Sequence, residues 1–482
     1  MVHRCSSKSV KHSVKLAGKQ KAFKLLCEIV DKYRHYPKEH AHGSTIVCKV
    51  TKIFNHFTRA NCVKLKMAEN YDINFAIVKI IENDHVGETE KLNALNILTE
   101  LACCDNAVSV LIHVKGLTDA LSECAHSSNV KIRNLGAMAF LNLSAVSENK
   151  QILGWDKNVI DSLSKCMCDD SESVRKSAIS AIGNISSCIE NKRRLVNYEN
   201  GVFLHNLLRI TRSDTEKDLR LDAVNVLSNL TNANTSAIMC DYSNLFPTLA
   251  TLASDDYNWE IQKAVMKFLR RLSPSINATL PNYSNFLEAL FISLTGKNVI
   301  KQIISILKDQ ASHHINRSSL ASFPDLLDTL ALLSLTYNSL QASIVKTLLF
   351  ISHQCDGSTF ILSETILNAL TTALDMIEGR NMITCYAAMK TIRKLAVLDE
   401  NRKLMEKKDS LFSALTSSME KKAKIVSITD SLAEFLYTEP TETCENIISA
   451  LEEDTWKFIN NDAISELAGE TLLVISGNEM KI

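Results

Sequence analysis

The side chains best equipped for bond-making chemistry are thiols and imidazoles, and their spacing does not assemble them. Cys103-Cys104 are adjacent, Cys166 and Cys168 flank one methionine, Cys188 stands further on, and His313-His314 form an isolated pair. A structural zinc site draws four ligands from paired short spacings such as C-x-x-C, and no such pair occurs here. The buried-hydrophobe role of free cysteine accounts for the scattered thiols, and the histidine pair reads as a surface or loop feature. No Walker loop, nucleophile elbow, H-E-x-x-H or dinucleotide fingerprint is present. The reading is of a chain without catalytic residues, metal or cofactor: a binder and not an enzyme.

The residues suited to binding are more orderly. Lys263, Lys267, Arg270 and Arg271 form one basic run, and Lys390, Arg393 and Lys394 another. Like charges four apart on a helix cost a few tenths of a kcal/mol. An acidic ligand would offset that cost, and a solvated charged face is the alternative. Asn142, Asn184 and Asn229 recur at a matching position. An amide offers both donor and acceptor, so a ladder of them would clamp the backbone of an extended peptide; the alternative is that each stabilises its own repeat. The first 27 residues hold seven Lys/Arg and no acid. That leaves three readings open: a solvated tail over 1–24, a basic address or acid-binding segment, or a mitochondrial presequence.

Helices must position these groups. Val174, Ala178, Ile182 and Ile185 lie at spacings that fall on one helical stripe. The same register recurs at Ile132/Gly136/Phe140/Leu143, Leu219/Ala223/Leu227/Leu230, Ile261/Val265/Leu269/Leu272 and Leu340/Ile344/Leu348/Ile351. Weaker copies are Ala94/Leu98/Leu101, Thr384/Ala388/Ile392/Leu395 and Ile464/Ala468/Leu472/Ile475. The second stripe position falls at 94, 136, 178, 223, 265, 344, 388 and 468, a period near 42 with two double gaps. Degenerate copies are expected near Ile303 and Leu432, and one more around Phe54, giving ten or eleven units. Small residues at that position let a neighbouring helix come close. Polar links such as His126-Ser127-Ser128-Asn129 and Asp169-Asp170-Ser171-Glu172, together with Asp214, Asp255 and Asp256, offer caps for the helices that follow. Repeated helices on short links at this period predict an all-α solenoid over residues 25–482, clearest from 90 to 275.

The helix ends Leu141-Asn142-Leu143-Ser144, Gly183-Asn184-Ile185-Ser186 and Ser228-Asn229-Leu230-Thr231 resemble the third-helix signature of armadillo repeats. The turns Ser147-Glu148-Asn149-Lys150, Ile189-Glu190-Asn191-Lys192 and Asp399-Glu400-Asn401-Arg402 are similar to that family's as well. HEAT-type repeats are the alternative for the C-terminal half. The resemblance spans roughly 45 to 480. It implies a right-handed superhelix whose third helices line a concave groove for extended peptides. The groove positions would be Asn142, Asn184, Asn225, Asn229, Lys263, Lys267, Arg271, Lys346, Tyr386, Lys390 and Lys394. Importin-α-like relatives place a Trp four residues before each groove Asn; here those positions are Met138, Ser180 and Asn225, which argues against basic nuclear-localisation peptides as ligands.

Bulk properties agree. Gly (13) and Pro (6) are scarce, which leaves little turn chemistry for sheets. Lys+Arg and Asp+Glu balance at 54 each, which speaks against a dedicated nucleic-acid binder. Fourteen cysteines without an apolar leader suggest a reducing compartment, cytoplasmic or nuclear. The most apolar stretch, residues 326 to 335, contains Asp328 and is too short for a membrane span. The expected role is a scaffold or adaptor holding an acidic or neutral partner segment. A nuclear-transport-type receptor, and binding of nucleic acid or anionic surfaces through the basic patches, are the competing roles.

Overall fold

The computed structural model describes residues 20–33, 41–59, 61–84, 86–213, 216–254, 258–276, 280, 283–294, 299–353, 360–374 and 382–420. Among them every regular element is helical. The expected copies near Leu432 and at Ile464/Ala468/Leu472/Ile475 lie outside the described residues, as do residues 1–19, Asp214, Asp255 and Asp256. The chain forms two compact units: residues 1–248 with 263–272, and residues 249–262 with 273–482.

The first unit opens with α1 (Gln20–Tyr33) and α2 (Ala41–Thr58). Helix α1 begins inside the segment expected as a tail, because Phe23 and Val30 are buried on its inner side. Triplets follow: α3 (Asn61–Ala68), α4 (Tyr71–Glu82) and α5 (Glu88–Leu101); α6 (Asp105–Leu111), α7 (Leu117–Cys124) and α8 (Val130–Ala145); α9 (Ser147–Trp155), α10 (Lys157–Cys166) and α11 (Glu172–Ser186); α12 (Ile189–Val196), α13 (Val202–Ser213) and α14 (Lys217–Leu230). Next come α15 (Ser236–Cys240), α16 (Leu245–Ala253) and α17 (Trp259–Ile276). Third helices pack on third helices in the order α2, α5, α8, α11, α14, and second helices α1, α4, α7 and α10 form a parallel layer. The second unit repeats the plan. It contains α18 (Ser284–Ser293), α19 (Ile300–Ser312), α20 (Arg317–Ala321), α21 (Leu326–Thr336), α22 (Asn338–Ser352), α23 (Glu364–Leu374), α24 (Met382–Leu395), α25 (Asp399–Glu406) and α26 (Asp409–Glu420). There α19, α22 and α24 stack as third helices, and α21, α23 and α26 as second helices. The architecture is an α-solenoid.

The apolar stripe read from the sequence is the core. Val174, Ala178, Ile182 and Ile185 are fully buried, and every other described stripe residue is buried too. Ile303 and Phe54, the expected centres of degenerate copies, sit buried on α19 and α2. Gly136 shows why one stripe position is small. A Cβ there would lie 2.7 Å from Cys124 Cβ, so α7 and α8 touch backbone to side chain.

Capping differs in detail from expectation. Asn129 does cap α8, its Oδ1 accepting the Lys131 amide at 2.9 Å. Ser171 precedes α11, but its hydroxyl caps nothing and lies 3.0 Å from the Ser173 hydroxyl. The Asp169 carboxylate instead accepts the Ser171 amide at 2.9 Å, which orders the link from outside the helix.

Candidate functional site

The segments expected as turns after the third helices are the first turns of short helices, α9, α12 and α25, and these build the site's frame. Asn149 is buried and its amide donates to Val108 O at 3.2 Å and Leu143 O at 3.0 Å. Asn191 donates to Lys150 O at 2.7 Å and Ile185 O at 3.0 Å. Asn401 donates to Phe360 O at 3.2 Å and Leu395 O at 2.9 Å. Each therefore ties the end of its third helix to a carbonyl about one repeat earlier, satisfying acceptors that the helix end leaves open. Sequence reasoning saw these turns but missed a fourth. Asn316 donates to Gln310 O at 3.3 Å, in the turn His314-Ile315-Asn316-Arg317, whose Asn-Arg dipeptide was the available signal.

A second link joins neighbouring repeats. The Arg133 guanidinium grips Asp169 through two hydrogen bonds, 2.6 Å from Nε and 3.0 Å from Nη2, and also donates to Ser127 O. Burial alone would raise the Asp169 pKa. The Arg133 hydrogen bond, the Ser171 amide and the surrounding positive charge outweigh burial and hold it below the ordinary value.

The expected groove residues divide between the units. Asn142, Asn184, Asn225, Asn229, Lys263, Lys267 and Arg271 belong to the first; Lys346, Tyr386, Lys390 and Lys394 belong to the second. In the first unit the ladder position turns back on the preceding repeat. The Asn142 amide donates to Thr99 O at 3.1 Å and to Cys103 Sγ at 3.2 Å. The Asn184 amide donates to Ser144 Oγ at 3.2 Å. Arg271 occupies the same register on α17 and donates to Ser228 O at 2.6 Å. Asn229 is half-buried, and Asn225, Lys263 and Lys267 are exposed. Both donors of Asn142 and one of the two on Asn184 are thus engaged by the array.

Basic residues from different repeats converge at the third-helix ends. Lys192, in the first turn of α12, donates to Thr231 O at 3.3 Å. Its pKa is lowered by burial and then by Arg271. The second unit repeats this arrangement. Arg317, the first residue of α20, donates to Ala311 O at 2.9 Å and Ser312 O at 3.0 Å. Lys394 on α24 has its pKa lowered by burial and by the charges of Arg317 and Lys390. His353, at the end of α22, is held below its ordinary value by burial and by Lys394, Arg317 and Lys390, against a backbone contact with Leu349 O that favours the proton. Lys390 Nζ stands 4.6 Å above the Tyr386 ring, a cation–π contact within α24. Lys346 is half-buried on α22. In both units the cation of a short helix meets the cation of the third helix in the next repeat. Sequence reasoning missed Lys192, Arg317 and His353, since their partners are 79, 77 and 41 positions away.

The thiols do not form a centre. Cys124 and Cys166 are buried, and burial pushes both up to about 12, so they stay protonated. Among the described residues no group of His, Cys, Asp or Glu is placed to hold a metal, and no helix is long and apolar enough to cross a membrane.

Comparison with known proteins bears on fold. A HEAT repeat family matches residues 159–189. That segment spans most of α10 and all of α11, in the clearest part of the array, whereas HEAT-type repeats were the alternative reading for the C-terminal half. No curated protein matches the chain. Among solved structures, an engineered protein is similar over 94% of this chain and 98% of its own, at 14% identity and a TM-score of 0.49. A designed armadillo repeat protein is similar over 51% of this chain and 99% of its own, at 21% identity and a TM-score of 0.39. Computationally designed armadillo repeat proteins for modular peptide recognition are similar over 51% of this chain and 99% of their own, at 20% identity and a TM-score of 0.39.

Proposed function

We propose that the chain is a non-enzymatic scaffold whose third-helix face holds an extended, acidic segment of a partner protein. One observation carries this reading: cations of successive repeats lie close together at the third-helix ends, so that Arg271 adds to the burial that lowers Lys192, and Arg317 and Lys390 add to the burial that lowers Lys394. Such clusters raise the electrostatic energy of the free protein. A carboxylate-bearing ligand relieves it and is drawn in faster by the local field. The array supplies the second requirement, a regular row of acceptors. With their amides engaged by Thr99 and Ser144, Asn142 and Asn184 would receive backbone N–H groups of the bound segment through Oδ1. Asn225 and Asn229 would extend the row in the first unit, while Lys263 and Lys267 there, and Lys346 beside Tyr386 in the second, would donate to the segment's carboxylates.

The test is fluorescence anisotropy of the full chain with a labelled ten-residue peptide alternating Glu and Ala, beside its Lys-for-Glu counterpart and a single-stranded oligonucleotide. The acidic peptide should bind more tightly than the basic one, and Lys390→Glu/Lys394→Glu should weaken it about tenfold, roughly 1.4 kcal/mol. Equal affinity for the two peptides would remove the reading. Preferential, steeply salt-dependent binding of the oligonucleotide would replace it with nucleic-acid binding.

A further inference from the structure

We infer that a cleft on the second-helix face of the first unit is a binding site for a phosphoryl group, independent of the peptide-binding reading. The cleft encloses about 290 Å³. One wall is α13, where His205, Arg209 and Arg212 stand at positions i, i+4 and i+7 and so share one face. Tyr242 and Thr248 form the facing wall, with buried Leu208 among the lining. No carboxylate lines this cleft. Among the described residues neither Arg209 nor Arg212 is ion-paired. A neighbouring cleft that also borders Arg209 contains Asp169 and Asp170, but Asp169 is committed to Arg133.

Arg212, in the last turn of α13, is favourable there with or without a ligand, so the arginines alone decide nothing. Thr248 does. It is 2% exposed and lines the cleft, its amide bonds Asn244 O at 3.3 Å, and its hydroxyl has no hydrogen-bond partner among the described residues. A nearly buried residue whose hydroxyl has no protein partner among the described residues, in the lining that also holds Arg209 and Arg212, leaves that hydroxyl free to donate to a ligand in the cleft. The backbone that sets the α13 wall is strained as well. Glu199, Asn200 and Gly201 are all left-handed, with φ of 45°, 55° and 92°. A Cβ on Gly201 would meet the Tyr242 ring at 3.3 Å, so the chain accepts this conformation to bring α13 against Tyr242. Strain of this kind gathers where a site must be pre-formed. Two planar guanidinium forks, an imidazole and a hydroxyl match the several acceptor oxygens and double charge of a phosphoryl group. The volume suits the group and a short carrier, either a phosphorylated small molecule or a phosphorylated side chain.

Isothermal titration of the full chain with inorganic pyrophosphate, against sulfate at equal ionic strength, tests this. Pyrophosphate should bind at one site per chain and be weakened about tenfold or more in Arg209→Gln/Arg212→Gln. Thr248→Val should weaken it several-fold. Lys390→Glu/Lys394→Glu should leave it unchanged, which separates this site from the third-helix face. A phosphotyrosine peptide that outbinds pyrophosphate would identify the carrier as a modified protein; the reverse order would identify a small molecule. No binding beyond that of sulfate would overturn the inference. So would full affinity in the double arginine variant with an unchanged helical circular dichroism spectrum.

Discussion

At the scale of single residues, buried amides and one ion pair hold successive repeats in register. Asn191 illustrates the amides. Asn191→Ala strands the carbonyls of Lys150 and Ile185 and should destabilise the array by about 2 kcal/mol, since each buried group left unmade costs roughly 1–3 kcal/mol. Urea denaturation followed by circular dichroism would measure it, and an unchanged midpoint would refute the clamp. The Arg133–Asp169 pair gives a pH signature. Asp169 has a lowered folded-state pKa, so its contribution is fully present above the unfolded value near 3.8 and is lost as pH falls through the lower folded value. Wild type should exceed Asp169→Asn in stability at neutral pH, and the gap should close under acid. A gap that persists in acid would assign the effect to packing. Arg271 carries a different lesson. Its spacing marks it as a groove residue, but its guanidinium holds Ser228, so charge reversal there disturbs the frame as well as the face. Lys267 is exposed and is the cleaner probe of the first unit's face.

At the scale of elements, the sequence was legible wherever packing imposes a period. The stripe from Val174 to Ile185 needs only the helical repeat to be recognised, and the burial of each member follows. Ala178→Asp should therefore unfold α11 and its neighbours, because an unpaired charge in the core has no compensating partner; hydrogen exchange confined to wild-type levels there would contradict the register. Gly136→Ala places a Cβ 2.7 Å from Cys124 Cβ, and overpacking of this kind costs about 1–3 kcal/mol. Legibility failed where a role depends on a partner a repeat or more away. The Asn142 and Asn184 amides bond residues 43 and 40 positions earlier, and nothing in their own helices announces it. Ser171 looked like a cap by type and place, but Asp169 orders that link from outside.

At the scale of the whole molecule, a formal charge of zero conceals local excess. Basic side chains separated by two repeats in sequence meet at the third-helix ends of each unit, and composition cannot report that. His353 sits inside one such cluster and senses it. Its pKa is depressed by burial and then by Lys394, Arg317 and Lys390, so it is neutral at pH 7 and any anion bound among those cations must raise its proton affinity. The central claim is that an acidic segment binds this face, and the most direct measurement is the His353 ring titration by NMR in the full chain, with and without saturating acidic peptide. The account predicts a clear upward shift of the His353 midpoint on binding, absent in Lys390→Glu/Lys394→Glu. A saturated complex in which the His353 titration does not move would contradict it.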